Sequence, residues 1–332
     1  MYKHPVRALR RVIFLCFLAV AAHAQATQVP GPLVDTEWLS KNLKDVVVLD
    51  ARKDTQSFIR KSGSGEVAGV QACGAKGGGG SVSGHIPDSA LAPWGEYAIT
   101  KKGELHDQLP AKADFEKLMR DSGVNQDSAV VISHLGEGAP NVGFATRLYW
   151  TLKYFGHDNV ALLDGGMAKW AAEKRKVEYG RTRPKEGDWK ATAERRELIA
   201  TLGDVQKAVA DGGQIVDGLP TDFYLGLKLK KGVVAKAGHI PGAKSLPFDV
   251  LVGGGPAGAT FYPVDQLKQV AAALGVDNGK PLITHCNTGH IATLTWFANS
   301  ELLGNKQARV YDGSMEEWAK DASRPVSAFV VE

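Results

Sequence analysis

Pro281-Leu282-Ile283-Thr284-His285-Cys286-Asn287-Thr288-Gly289-His290-Ile291-Ala292-Thr293-Leu294-Thr295-Trp296-Phe297 passes from an apolar run through a polar turn into a second apolar run. Pro281 to His285 has the length and composition of a strand buried on both faces, the kind found in parallel sheets. Cys286 to Ile291 is too polar and glycine-bearing to continue that strand. Ala292 onward starts a helical pattern. In open α/β sheets, a strand-to-helix turn at the carboxyl end of a parallel strand is where ligands bind.

The same sequence of landmarks occurs twice. Val46-Val47-Val48-Leu49-Asp50 has its counterpart in Gln214-Ile215-Val216-Asp217, and Gly84-His85-Ile86-Pro87 in Gly238-His239-Ile240-Pro241. Ala129 to His134 pairs with Lys280 to His285, which puts Leu135 in the place of Cys286. Val160-Ala161-Leu162-Leu163-Asp164-Gly165-Gly166 precedes Trp170 as Arg309-Val310-Tyr311-Asp312-Gly313-Ser314 precedes Trp318. The offsets of 167, 154, 151 and 148 residues drift as loop insertions would make them drift. Helical patterns over Ala113–Ser122, Ala145–Tyr154, Val264–Leu274 and Ala292–Leu303 lie between the strands. Strands alternating with helices predict an α/β fold: two domains, each a mostly parallel sheet flanked by helices on both faces. The expected boundaries are 33–175 for the first domain, 176–198 for a charged linker and 199–332 for the second. Two inserts break the symmetry, a segment 62–84 with nine glycines and a shorter one at 253–258, and both read as surface loops.

Composition is ordinary for a globular protein: 332 residues, 44% hydrophobic and 23% charged, which excludes a disordered or collagen-like chain. The formal charge of +4 is carried entirely by Lys3, Arg7, Arg10 and Arg11. These belong to a basic start followed by an apolar run, Val12 to Ala22, and by Ala22-His23-Ala24, the pattern of a signal peptide over residues 1–24 cleaved after Ala24. The run is too short for a permanent membrane span, and bulky Leu15 before Cys16 argues against a lipid anchor. The mature chain is then neutral, with no basic face calling for nucleic acid. Export to the periplasm with no stable membrane insertion is the expectation.

Cys73 and Cys286 remain after cleavage. A thiol at a helix N-terminus is pushed toward thiolate, the nucleophilic form, by unpaired amides and the helix dipole. Gly289 would let the turn curl its N–H groups inward around an anion. The alternative is that Cys286 is a small buried hydrophobe. His285, Cys286 and His290 make poor tetrahedral metal geometry, being so close in sequence. A phosphatase loop would need arginine where Ala292 stands.

Taken together, Asp50-Ala51-Arg52, both Gly-His-Ile-Pro segments, Tyr154 to Val160, both Asp-Gly segments and the Cys286 turn resemble the tandem rhodanese-type sulfurtransferases. That group includes thiosulfate and 3-mercaptopyruvate sulfurtransferases, and the resemblance covers about residues 33 to 325. It implies a catalytically degenerate first domain, a catalytic second domain, and Cys286 as the catalytic residue. Cys286 would take sulfane sulfur from a small anionic donor as a persulfide and pass it to cyanide, a thiol or a protein acceptor. Asn287, Thr288, Gly289, His290, Ile291 and Ala292 would form the substrate-binding loop for the anion and the persulfide. No metal or organic cofactor is implied.

The chain departs from the family pattern in two places. The residues after Cys286 are neutral rather than cationic, and Gly218 follows Asp217 where many members carry arginine. A charge-assisted hydrogen bond in a dry site contributes roughly 1.5–3 kcal/mol, so without these cations a dianion such as thiosulfate should bind more weakly. His290 could restore part of that charge when protonated. His285, His85 and His239 read as structural, and Asp50 and Asp217 as holding loop backbone. Arg52 reads equally as an interdomain cleft residue or a salt-bridge partner. Cys73 is a candidate second thiol that could reach Cys286. The rival functions are a non-catalytic sulfane-sulfur carrier and a thiol-redox protein using Cys73 and Cys286.

Overall fold

The computed structural model describes residues 27–61, 82–101, 103–255 and 258–329. The segment expected to be a signal peptide, Cys16 and Cys73 lie outside the described residues.

The first domain contains β1 (Leu33–Val34), α1 (Thr36–Asn42), β2 (Val47–Arg52), α2 (Thr55–Ile59), β3 (Ala90–Pro93) and α3 (Trp94–Tyr97). It continues with α4 (Lys112–Asp121), β4 (Val130–Ser133), α5 (Ala139–Tyr154), β5 (Val160–Leu163) and α6 (Gly166–Ala172). The second begins with β6 (Ile199–Ala200), α7 (Leu202–Asp211), β7 (Gln214–Asp217), α8 (Thr221–Tyr224) and β8 (Lys244–Ser245). A short antiparallel pair follows, β9 (Val252–Gly253) with β10 (Thr260–Phe261), then α9 (Val264–Ala273). The chain closes with β11 (Leu282–His285), α10 (His290–Phe297), β12 (Ala308–Tyr311) and α11 (Ser314–Lys320).

Each domain is built on a five-stranded parallel sheet, in the order β1-β5-β4-β2-β3 and β6-β12-β11-β7-β8. The two orders are one topology repeated. The central strands are buried throughout, which is why they read as unbroken apolar runs rather than alternating ones. Both Gly-His-Ile-Pro segments play one structural part. His85 stacks on Phe58 at 3.9 Å and His239 on Tyr224 at 3.8 Å. Each histidine also makes an isolated antiparallel bridge, to Glu178 and Ser327 respectively.

Register corrects the alignment of the two halves by one residue. Asp50 lies opposite Ser133, and Asp217 lies opposite His285. Met167 N–H donates to His134 O where Met315 N–H donates to Cys286 O. His134, not Leu135, therefore occupies the position of Cys286. Sliding Ala129–His134 along Lys280–His285 matches hydrophobicity equally well in either register, because both strands are buried on both sides and lack the alternation that would fix it.

The segment joining the domains is laid along the first of them. Trp189 within it is fully buried and donates its indole N–H to His157 Nδ1 at 3.1 Å. The domains share one apolar core: Phe144, Leu148 and Trp150 of α5 belong to the same cluster as Ile291, Leu294 and Trp296 of α10. Arg147, fully buried in α5, grips Asp312 of the second domain through both terminal nitrogens, with Nη2–Oδ2 at 3.1 Å. Reciprocally, Phe261 N–H donates to Asp164 Oδ1 at 3.0 Å. The aspartate of each Asp-Gly turn is thus held by the opposite domain.

Candidate active site

Cys286 follows the last residue of β11, and α10 begins at His290. Gly289 closes the turn with φ 82°, and a Cβ there would stand 2.4 Å from Asp312 Oδ1. Only glycine fits both that conformation and that space.

Ser314 organises the turn. Its backbone is left-handed, φ 51°, a conformation costing a non-glycine residue about 1–2 kcal/mol. In return its Oγ accepts from the N–H groups of Cys286 (3.1 Å) and Gly289 (3.0 Å) and donates to Tyr311 O (2.9 Å). Met315 and Glu316 N–H groups donate to the carbonyls of Cys286 and Asn287 at 3.0 Å. Two of the loop amides expected to face an anion are therefore consumed in fixing the loop. The first domain has Gly166 at the corresponding place, with φ 55° and no hydroxyl.

The amides of Thr288 and Ala292 do face the Cys286 sulfur. The thiol is only 2% exposed, and burial pushes its pKa above the ordinary value. Those two amides and Lys230 pull the other way, while an ionised Asp217 would add to the rise. This corrects the expectation of a resting thiolate. The helix starts four residues after the sulfur, and desolvation outweighs the amide field. At rest Cys286 keeps its proton near neutral pH.

The other loop residues divide by role. Thr288 Oγ donates to Asp107 Oδ2 of the first domain at 2.8 Å and lies 3.4 Å from Lys230 Nζ. Asp107 also accepts from the Trp94 indole at 3.1 Å and holds a left-handed backbone, φ 57°. His290 is sandwiched by first-domain rings, Phe144 at 4.7 Å and Trp94 at 4.6 Å. Burial, with help from Lys230, Arg147 and Lys53 against the pull of Asp107, lowers its pKa to about 3. His290 is therefore neutral and supplies no charge to an anion, a second correction. Asn287 and Ile291 are buried in the turn wall.

Arg52 is not a cleft residue. It is fully buried, bonds both oxygens of Asp50 at 2.5 and 2.6 Å, and reaches Ser57 Oγ and Gly84 O. The exposed neighbour Lys53 is the cation whose field reaches His290. The functional residues that sequence reasoning missed are Ser314, Asp107 and Lys230. Ser314 could have been found from its divergence from Gly166 within the repeat. Asp107 and Lys230 come from segments with no counterpart pattern.

A parallel α/β domain pair with one cysteine at a strand-to-helix turn, braced by the partner domain, matches a known family. The rhodanese-like domain family model matches residues 35–173 and 201–321. The chain belongs to the rhodanese-like domain family, with two copies in tandem, and is a sulfurtransferase. A Haloferax volcanii protein provisionally named thiosulfate sulfurtransferase is 32% identical over 247 residues, covering 72% of this chain and 84% of that one. The 3-mercaptopyruvate sulfurtransferase of Escherichia coli K12 is 28% identical over 296 residues, covering 88% and 96%. The crystal structure of SseA from Escherichia coli, described with the rhodanese fold of 3-mercaptopyruvate enzymes, superposes with a TM-score of 0.69 at 26% identity. That match covers 86% of this chain and 98% of the other.

Proposed function

We propose that Cys286 accepts sulfane sulfur from a small anionic donor of the thiosulfate or 3-mercaptopyruvate type, becomes a persulfide, and yields that sulfur to cyanide or a thiol, including a thiol on a protein. The observation that carries this is the Cys286 sulfur held under the Thr288 and Ala292 amides at the sheet's carboxyl edge. On donor binding the thiol releases its proton and Sγ bonds to the donor's terminal sulfur. The donor's S–S or C–S bond breaks and its electron pair leaves with sulfite or with the enolate of pyruvate, which takes up a proton. The cradle amides then stabilise the persulfide's outer sulfur.

Charge at the mouth sets what enters. Lys230 and Lys53 attract an anion, and the Asp107 carboxylate beside Thr288 opposes a second negative charge. A singly charged donor is favoured over a dianion. The basic start, the apolar run and Ala22-His23-Ala24 support export to the periplasm with cleavage after Ala24, which N-terminal sequencing of the mature protein tests.

Turnover with cyanide tests the enzymatic reading. Thiocyanate accumulating over many equivalents of protein, and absent with Cys286→Ser, is the expected result. A single equivalent would mean a carrier. A disulfide joining Cys286 to Cys73 under the same conditions would mean redox chemistry.

A further inference from the structure

Beneath their strand ends the two domains neutralise the same aspartate in different ways. In the first, Asp50 is clasped by Arg52 through two charge-assisted bonds, with Ser133 at the facing strand position. In the second, Asp217 takes the place of Asp50, Leu219 that of Arg52, and His285 that of Ser133. Where the fixed cation is lost, a titratable group is gained opposite.

The geometry of that replacement constrains its protons. His285 Nε2 stands 3.8 Å from Asp217 Oδ2, both residues are fully buried, and neither atom has a hydrogen-bond partner among the described residues. Asp217 Oδ1 accepts from Leu219 N–H at 2.8 Å, and His285 Nδ1 faces Cys286 O at 3.4 Å. With the ring proton on Nδ1, a neutral His285 would turn a bare lone pair toward a carboxylate in a dry interior. Two acceptors facing each other there are strongly unfavourable.

We infer that Asp217 and His285 share one proton, that this pair stands in for the missing arginine, and that His285 is a positioning residue that keeps the strand end beneath Cys286 neutral during sulfur loading. Burial supports a shared proton from both sides, raising the carboxyl pKa and lowering that of the ring. The other groups facing the pair are His239, whose Nδ1 is taken by Tyr224 O at 2.7 Å, and Tyr224 itself. On the thiol side stand Lys230 and, beyond Thr288, Asp107. If the pair lost its proton, a full negative charge would sit under the loop and oppose both thiolate and persulfide anion. The ionisations of pair and thiol are therefore coupled.

The inference rests on Cys286 as the sulfur acceptor, but its test needs no donor. In full-length protein carrying Cys73→Ser, the pH dependence of Cys286 alkylation by iodoacetamide reads thiol ionisation directly. Asp217→Asn should leave the midpoint within a few tenths of a unit, because it exchanges one neutral pair for another. A midpoint lowered by about one unit in folded Asp217→Asn, roughly tenfold faster alkylation at fixed pH below it, would overturn the inference, because it would mean that a full negative charge had stood beside the thiol. Without any substitution, ring ¹⁵N and carboxyl ¹³C shifts at pH 7 should show a proton on His285 Nε2 or on Asp217. A bare Nε2 facing an ionised carboxylate would also overturn it. Failure of sulfur loading with either titration result intact would instead count against the function proposed for Cys286.

Discussion

Thr288, two residues after Cys286, donates its hydroxyl to Asp107 of the other domain across 2.8 Å. The turn that carries Cys286 is thus completed by a residue 181 positions away in sequence. The same first-domain segment continues onto the opposite wall: His106 meets Glu316 at 2.8 Å, and Leu109 N–H meets Asp312 at 3.0 Å. Domain docking and the geometry of the Cys286 turn are therefore one property, with the first domain as its brace.

Removing the carboxylate should change which donor is preferred. Asp107→Asn keeps the shape and an acceptor for Thr288 but removes the charge. The ratio of kcat/KM for thiosulfate to that for 3-mercaptopyruvate should rise about fivefold to tenfold, on the order of 1 kcal/mol for one opposing charge near a partly wet mouth. Lys230→Gln should raise KM for both donors by about tenfold with a smaller effect on kcat. Steady-state kinetics at two salt concentrations check both, since these effects should shrink as salt rises.

Ser314 fixes the shape of the Cys286 turn through two amides. Ser314→Gly relieves the left-handed strain but leaves the buried amides of Cys286 and Gly289 without their acceptor, an exposure cost of about 1–3 kcal/mol for each unpaired group. Thermal stability should fall by about 1–4 kcal/mol, because the relieved strain offsets only part of the cost of the two unpaired amides. Sulfur loading in a single turnover should slow at least tenfold as the loop loses its fixed shape. A single-turnover loading rate unchanged from the parent in the folded variant would show Ser314 to be merely structural.

Arg147 and Asp312 form a buried pair between domains. Arg147→Met should destabilise the protein by about 3–5 kcal/mol, because it strands a buried carboxylate. The double variant Arg147→Met, Asp312→Asn should recover part of that. Denaturant unfolding of the single and double variants measures the coupling.

Acid should destabilise the fold before the carboxylates titrate. Burial lowers the pKa of His134 to about 4 and of His290 to about 3, whereas in the unfolded chain both titrate near about 6.5. Between those limits the unfolded chain binds more protons, so stability is whole above about pH 6.5 and is lost as pH falls toward the folded values. Unfolding at pH 5 should take up nearly two protons on these two histidines, read from the slope of stability against pH.

Much of this was legible in the sequence, and the failures share a cause. The repeated landmarks carried the two-domain fold because buried parallel strands write themselves as short apolar runs. The same continuity hid the register, and one residue of slip put Leu135 where His134 belongs. Cys286 could be singled out because its turn is local. Its protonation could not, because burial in the core shared with α5 is a tertiary effect that outweighs the helix field. Arg52 carries a surface-like charge yet is buried, since Asp50 two residues earlier satisfies it. Asp107 and Lys230 reach Thr288 only through folding, so no spacing announces them.

The central claim is that sulfur is carried on Cys286, and intact mass tests it most directly. After incubation with thiosulfate or 3-mercaptopyruvate and removal of excess donor, the protein should gain the mass of one sulfur atom. The gain should localise to the peptide containing Cys286 and disappear with cyanide or with Cys286→Ser. A gain that persists in Cys286→Ser, or no gain with either donor, would contradict the account.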